Sequence, residues 1–164
     1  MNRSSGFSRR RFLQHSAAGL AGTVLLPQVI PSSVLAAPGQ RGANDRIGVG
    51  YIGCGRRARQ LMGLPKEGRF VAVADVFRSR ADEVAKQRQC RAYQDYRKLL
   101  ECRDVDAVVV ATPDHWHVPV SIHACQAGKD VYCEKPLSLT VREGRLLVQA
   151  VRKHGRVLQT GSQR

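Results

Sequence analysis

The chain has 164 residues, and 27 lysines and arginines against 13 aspartates and glutamates give it a net charge of +14. Hydrophobic residues make up 43% of the sequence, so the chain can bury a core and is not a disordered tail. Aromatic residues make up only 5%, which argues against a base-stacking surface, and no nucleic-acid partner is expected. The apolar runs are too short to span a bilayer, so no stable membrane anchor is expected either.

Residues 1–36 have the organisation of an export signal. They are basic at the start, contain no acidic residue, continue into a short apolar stretch and end in small residues. The string Ser8-Arg9-Arg10-Arg11-Phe12-Leu13 resembles the twin-arginine signal, which directs proteins that have already folded in the cytoplasm. We predict cleavage after Ala36, a linker over 37–45, and a periplasmic or secreted location.

Strand-like apolar runs alternate with helical periodicity from residue 46 onwards. Strands are predicted at 46–53, 69–75, around Tyr93, and at 105–111, 130–133 and 157–160. Helices are predicted from the turn at Gly55 to Leu61, and at 79–87, 95–102, 118–126 and 140–155. This alternation indicates an α/β fold, a doubly wound parallel sheet of Rossmann type over 46–164. Its binding crevice is expected at the carboxyl ends of the first and fourth strands.

The turn after the first strand reads Gly53-Cys54-Gly55-Arg56-Arg57-Ala58, which is the G-x-G-x-x-A spacing of a dinucleotide site. Gly53 permits a tight turn, Gly55 lets the backbone approach a pyrophosphate, and Ala58 allows close helix packing. We predict that Gly53, Cys54, Gly55 and Arg56 bind the cofactor. An adenosine site of the methyltransferase type is the alternative for such a turn.

The second strand ends at Asp75, where a carboxylate can accept both ribose hydroxyls of NAD and repel a 2′-phosphate. Arg56 and Arg78 could nevertheless hold such a phosphate. NAD is therefore the predicted cofactor, and NADP is the alternative.

A polar loop, Thr112-Pro113-Asp114-His115-Trp116-His117, follows the fourth strand. It is expected to form a wall of the cofactor pocket beside the nicotinamide. Two histidines and one aspartate leave a metal coordination shell incomplete, so no metal is predicted. His117 could instead act only as a capping residue of the next helix.

Glu134-Lys135-Pro136 follows the fifth strand, so Lys135 is expected at the same crevice. Its ammonium can polarise a carbonyl or, when deprotonated, the amine can accept a hydroxyl proton. A surface lysine in a turn is the alternative interpretation on this motif alone.

The five cysteines are Cys54, Cys90, Cys102, Cys125 and Cys133. Their odd number cannot pair completely within one chain, and their spacing lacks the C-x-x-C pattern of metal sites. Buried structural thiols are the prediction, although an oxidising periplasm leaves a disulfide open.

Several motifs together resemble the Gfo/Idh/MocA oxidoreductase family over residues 46–164. They are Asp104-Val105-Asp106, the loop from Thr112 to His117, Ala127-Gly128-Lys129, Glu134-Lys135-Pro136-Leu137 and Gln159-Thr160-Gly161. The resemblance implies an NAD(P)-dependent oxidoreductase in which Lys135 is catalytic. It also implies that Glu134, Thr112, Pro113 and His117 line the cofactor and substrate pocket.

The same resemblance implies a hydride transfer from a sugar or cyclic polyol hydroxyl, a homo-oligomer, and a second α/β domain beyond residue 164. The sequence is therefore expected to be the cofactor-binding part of an enzyme and to be inactive alone. Two alternatives remain at this stage. Some members of the family are NAD-dependent glycoside hydrolases, and the chain as it stands could bind nucleotide without turnover.

Overall fold

The computed structural model describes residues 45–162, so the predicted export signal and nearly all of the linker lie outside the described residues. The strands in this range are β1 (Ile47–Ile52), β2 (Gly68–Ala74), β3 (Arg91–Tyr93), β4 (Ala107–Val110), β5 (Asp130–Glu134) and β6 (Leu158–Gly161). The helices are α1 (Arg56–Gln60), α2 (Arg78–Arg88), α3 (Tyr96–Leu100), α4 (His117–Gln126) and α5 (Val141–His154), with a 3₁₀ turn (Asp114–Trp116) leading into α4.

The strands form one six-stranded sheet in the order β3-β2-β1-β4-β5-β6, and every pair is parallel. The predicted doubly wound α/β fold is confirmed. The chain builds outward from β1 to β3 and then returns to place β4 on the other side of β1. Ile52 pairs with Val110 and Val110 with Cys133, so the carboxyl ends of β1, β4 and β5 meet at one edge of the sheet.

Two hydrophobic clusters pack against opposite faces of the sheet. One lies under α1 and α2 and includes Tyr51, Val73 and Val84. The other lies under α3 and α4 and includes Leu99, Val120 and Cys125. β4 is buried on one face, at Val108 and Val110, and half-buried on the other, at Ala107 and Val109. Its run of three valines is the pattern expected of a central parallel strand.

β4 and β6 begin later than the sequence predicts. Before β4, the carboxylate of Asp106 accepts a hydrogen bond from the Gly48 backbone N–H at 2.6 Å, so a side chain replaces a regular ladder contact and the strand begins at Ala107. Before β6, the Val157 N–H donates to the Asp130 carboxylate at 2.9 Å, and the strand begins one residue later.

The predicted start and end of α5 are confirmed. The Thr140 hydroxyl accepts from the Glu143 N–H at 3.2 Å, the Glu143 carboxylate accepts from the Thr140 N–H at 3.2 Å, and Gly155 ends the helix with φ +60°. This reciprocal pairing satisfies N–H groups that the first turn leaves without helical partners. None of the helices within residues 45–162 has the length and apolar character needed to cross a membrane.

Candidate active site

A cleft of about 500 Å³ opens at the carboxyl edge of the sheet. Its lining residues lie at or just after the carboxyl ends of β1, β4 and β5, and they are Arg57, Ala111, Thr112, Asp114, His117, Glu134 and Lys135. The predicted residues Thr112, His117, Glu134 and Lys135 therefore lie in one cleft together with Arg57 of the glycine-turn motif. The sheet brings them together because parallel strands end at the same edge. The other predicted site residues are not among the lining residues of the cleft, and these are Gly53, Cys54, Gly55, Arg56, Asp75 and Pro113.

The turn after β1 depends on its two glycines for different reasons. Gly53 has φ +93°, and a Cβ there would lie 2.5 Å from the Ala111 carbonyl oxygen, so the turn itself requires glycine. Gly55 has φ −72° and ψ −174°, a conformation open to any residue, and a Cβ there would meet nothing within 4 Å. The fold does not need glycine at Gly55, but a ligand that approaches the backbone does.

This site fits a dinucleotide. Gly55 leaves free space beside the turn, as the spacing predicts for a pyrophosphate. Thr112 Oγ1 and Arg57 Nε are buried polar atoms in the cleft lining, and neither has a hydrogen-bond partner among the described residues. Buried polar atoms are normally paired, so both atoms are available to a bound group.

Asp75 is fixed by two backbone hydrogen bonds. Its Oδ2 accepts from the Cys54 N–H and its Oδ1 from the Phe77 N–H, both at 2.8 Å. Each carboxylate oxygen keeps a second lone pair, so the carboxylate can still accept the hydroxyls of a ribose. The Cys54 amide is used to orient Asp75, which makes the contribution of Cys54 to the predicted site indirect.

The Cys54 thiol is directed away from the cleft, 3.7 Å from the Ala74 carbonyl oxygen. Burial raises the pKa of Cys54 to about 12, and the charge of Asp75 acts in the same direction. Since thiolate is the reactive form, this thiol is inert at neutral pH. All five cysteines lie in the described range as free thiols, of which four are buried and Cys90 is half-buried.

The two arginines predicted as partners for a 2′-phosphate differ in their contacts. The Arg78 Nε donates to the Asp82 carboxylate at 2.8 Å within α2. Arg56 is exposed and makes no ion pair with any of the residues from 45 to 162. Asp75 is thus the oriented charged group at this end of the site, which favours NAD.

His117 connects two walls of the cleft. It is the first residue of α4 and is 1% exposed. Its Nδ1 lies 2.7 Å from the Pro136 carbonyl oxygen and its Nε2 lies 3.0 Å from that of Thr112. Because carbonyls occupy both ring nitrogens, His117 shapes the pocket wall rather than offering a free donor or a metal ligand. Residues 45–162 contain no group of three or more side chains suited to bind a metal ion.

Glu134 and Lys135 occupy different environments although they are neighbours. Glu134 is 3% exposed, and its Oε1 accepts from Arg57 Nη2 at 2.9 Å while its Oε2 accepts from the Lys135 N–H at 3.1 Å. The Lys135 side chain is exposed at the cleft and forms no ion pair with the described residues. Arg57, which pairs with a residue 77 positions away, is the site residue that the sequence analysis missed.

The strand order, the glycine turn at the end of β1 and the oriented carboxylate after β2 define a Rossmann dinucleotide-binding domain. Over residues 47–162 the chain matches the model of the Gfo/Idh/MocA oxidoreductases, described as an oxidoreductase family with an NAD-binding Rossmann fold. The chain belongs to this family, and the predicted resemblance is confirmed.

Curated relatives include two inositol 2-dehydrogenases. The protein from Rubrobacter xylanophilus is 36% identical over 122 residues, covering 72% of this chain and 35% of the relative. The protein from Acidothermus cellulolyticus is 40% identical over 120 residues, covering 70% of this chain and 35% of the relative. The chain thus spans about a third of the length of the relatives it matches.

Solved structures show the same relationship. An NAD-binding oxidoreductase from Klebsiella pneumoniae superposes with a TM-score of 0.63 at 30% identity, covering 71% of this chain and 34% of that one. The 3-ketoreductase KijD10 from Actinomadura kijaniata, solved with NADP and TDP-benzene, gives a TM-score of 0.66 at 31% identity, covering 71% and 37%.

Proposed function

We propose that the protein to which this domain belongs is an exported NAD(P)-dependent oxidoreductase that acts on a hydroxyl of a sugar or cyclic polyol. The observation that carries the proposal is the shared cleft, which is lined by Lys135 and by Arg57, the residue two positions after Gly55 in the glycine-turn motif of the NAD-binding fold. Family membership and the inositol dehydrogenases among the relatives support the substrate class.

Different residues of the domain would bind different parts of the cofactor. Asp75 would accept the adenosine ribose hydroxyls, and the backbone at Gly55 would approach the pyrophosphate. Thr112 and Glu134 would border the nicotinamide half, and His117 would keep the two loops there at a fixed distance. A bound dinucleotide supplies the hydride-accepting chemistry.

Lys135 would supply the acid–base function. A deprotonated Nζ can take the proton of a substrate hydroxyl as the carbon is oxidised, and the ammonium can return it in the reverse direction. The exposed position at the cleft gives Nζ access to a substrate, and the absence of a paired carboxylate among residues 45–162 leaves it available.

The test uses the full-length protein with NAD⁺ and a panel of inositols and sugars. Lys135→Ala should lower kcat by roughly 100-fold or more while the Kd for NAD⁺ stays unchanged. Lys153→Ala, on the exposed last turn of α5, is the charge-matched control. Unchanged turnover in Lys135→Ala would remove the assigned role. Analysis of products from glycosides separates a dehydrogenase from an NAD-dependent glycoside hydrolase.

The proposal of export is based on the signal-like sequence of residues 1–36. The proposal that the full-length protein is a homo-oligomer is based on its family. Replacing Arg10 and Arg11 together by lysine should leave the full-length protein in the cytoplasmic fraction, whereas the native signal should deliver it to the periplasm. Equal periplasmic recovery of both forms would contradict twin-arginine export. Sedimentation of the full-length protein measures its oligomeric state.

A further inference from the structure

Two cationic side chains are candidates for an ion pair with the buried carboxylate of Glu134. Lys135 is its direct neighbour in sequence, and Arg57 approaches from α1 across the end of β4. The carboxylate contacts the guanidinium of Arg57 at 2.9 Å, and from Lys135 it receives only the backbone N–H. The side-chain charge of Lys135 is therefore left uncompensated by its neighbour.

The residues around Glu134 hold its carboxylate in contact with Arg57. A Cβ at Gly161 would lie 2.8 Å from Glu134 Oε1, so the missing side chain at the end of β6 makes the space that the carboxylate occupies. Arg57 is itself anchored, because its Nη1 donates to Gln60 Oε1 at 3.0 Å. A buried carboxylate requires a close counter-charge, and a planar guanidinium provides it with a directed hydrogen bond.

We propose that Arg57 is a positioning residue that holds the Glu134 carboxylate away from the Lys135 ammonium and so keeps Lys135 free at the cleft. Without Arg57, the cationic side chain next to the buried carboxylate in sequence, and in the same cleft lining, is Lys135. The carboxylate would then pair with the ammonium, which would bind its proton more tightly and react more slowly. The role of Lys135 in turnover belongs to the proposed function, but the pairing itself can be measured without turnover.

The test measures the acetylation rate of individual lysines with an amine-reactive ester, read by mass spectrometry of peptides from the full chain. Two internal standards are present. Lys98 is paired with Glu101 at 3.0 Å, whereas Lys153 forms no ion pair with the described residues. In the native protein Lys135 should react at a rate near that of Lys153. In Arg57→Gln the Lys135 rate should fall roughly threefold or more.

Two further variants separate positioning from a general structural role. Adding Glu134→Gln to Arg57→Gln removes the carboxylate and should restore the Lys135 rate, which loosening of the loop would not do. Glu134→Gln alone is close in shape to the native side chain and should leave the rate unchanged. If Glu134→Gln accelerates Lys135, or if folded Arg57→Gln leaves the rate unchanged, the proposal is overturned. Should Arg57→Gln fail to fold, the single Glu134→Gln result decides.

These outcomes are distinct from failure of the proposed function. If Lys135→Ala retains turnover, the catalytic assignment falls while the labelling results stand. If the labelling results fail while Lys135→Ala abolishes turnover, only the role of Arg57 falls.

Discussion

At the scale of single residues, Gly161 shows how a missing side chain supports a buried charge. A Cβ there would lie 2.8 Å from Glu134 Oε1 and 3.0 Å from the Tyr132 hydroxyl. Gly161→Ala should therefore lower the free energy of unfolding by about 1–3 kcal/mol, as overpacking usually does. Gly63→Ala is the matched control, since a Cβ there meets nothing within 4 Å. Equal urea midpoints for the two variants would show that Glu134 is not confined as described.

The buried thiols predict a loss of stability in alkali. Burial raises the pKa of Cys54 to about 12 and that of Cys133 to about 11, from an ordinary value of 9.0. Above pH 9 the unfolded chain releases thiol protons that the folded chain retains, so the free energy of unfolding falls as pH rises towards 11. Below pH 9 these thiols add no pH dependence.

Urea denaturation at several pH values measures this slope. The Cys54→Ala/Cys133→Ala variant should show a shallower decline between about pH 9 and 11 than the native chain. An identical decline in both proteins would mean that other groups cause it.

The position of a site residue could be predicted where the residue belongs to a sequence motif. It could not be predicted where it depends on a contact between residues that are distant in sequence. Gly53, Asp75 and Lys135 stand at fixed distances from strand ends, so their placement follows once the strands are recognised. The pairing of Arg57 with Glu134 joins residues 77 positions apart, and its geometry exists only after the sheet has formed.

At the scale of secondary-structure elements, the capping box of α5 is a local device whose energy can be tested. Thr140→Ala removes the acceptor for the Glu143 N–H and should cost about 1 kcal/mol of stability. Thr140→Ser keeps a hydroxyl and should behave like the native chain. Thermal denaturation of both variants checks this, and a Thr140→Ala melting temperature equal to that of Thr140→Ser would contradict the capping role.

The ends of β1 and β2 act together through Asp75, which accepts from the Cys54 and Phe77 backbones. Asp75→Asn loses the negative charge and part of this acceptor capacity. We expect NAD⁺ affinity to fall by about tenfold and the preference for NAD⁺ over NADP⁺ to shrink. Calorimetric titration with both nucleotides tests this, with Asp104→Asn, whose carboxylate pairs with Arg91, as the control. Unchanged discrimination would contradict the role of Asp75.

Element order was predictable because strand and helix periodicities alternate without interruption. Element ends were less so. The side chains of Asp106 and Asp130 accept hydrogen bonds from backbone N–H groups at the starts of strands, in place of regular ladder contacts. Hydrophobic periodicity does not predict such side-chain hydrogen bonds.

At the scale of the whole molecule, the strand order β3-β2-β1-β4-β5-β6 explains why one cleft forms. The chain reverses its direction of growth between β1 and β4, so the helices that follow them lie on opposite faces and leave the strand ends uncovered. The segments carrying Gly55, Thr112 and Lys135 converge there although they are far apart in sequence. The fold class followed from the pattern, but the depth and lining of the cleft required the structure.

Binding of NAD⁺ to the chain, measured by calorimetry for the native protein and for Gly55→Val, tests the central claim most directly. Gly55 has an ordinary backbone conformation and free space around its Cβ position, so valine should fit without a clash and lower the melting temperature only by the modest cost of replacing a helix N-cap glycine. The same valine would occupy the space where the pyrophosphate approaches the turn. The account predicts binding by the native protein and its loss in Gly55→Val, with Gly63→Val binding normally. Equal binding by Gly55→Val, or no binding by the native chain, would contradict it.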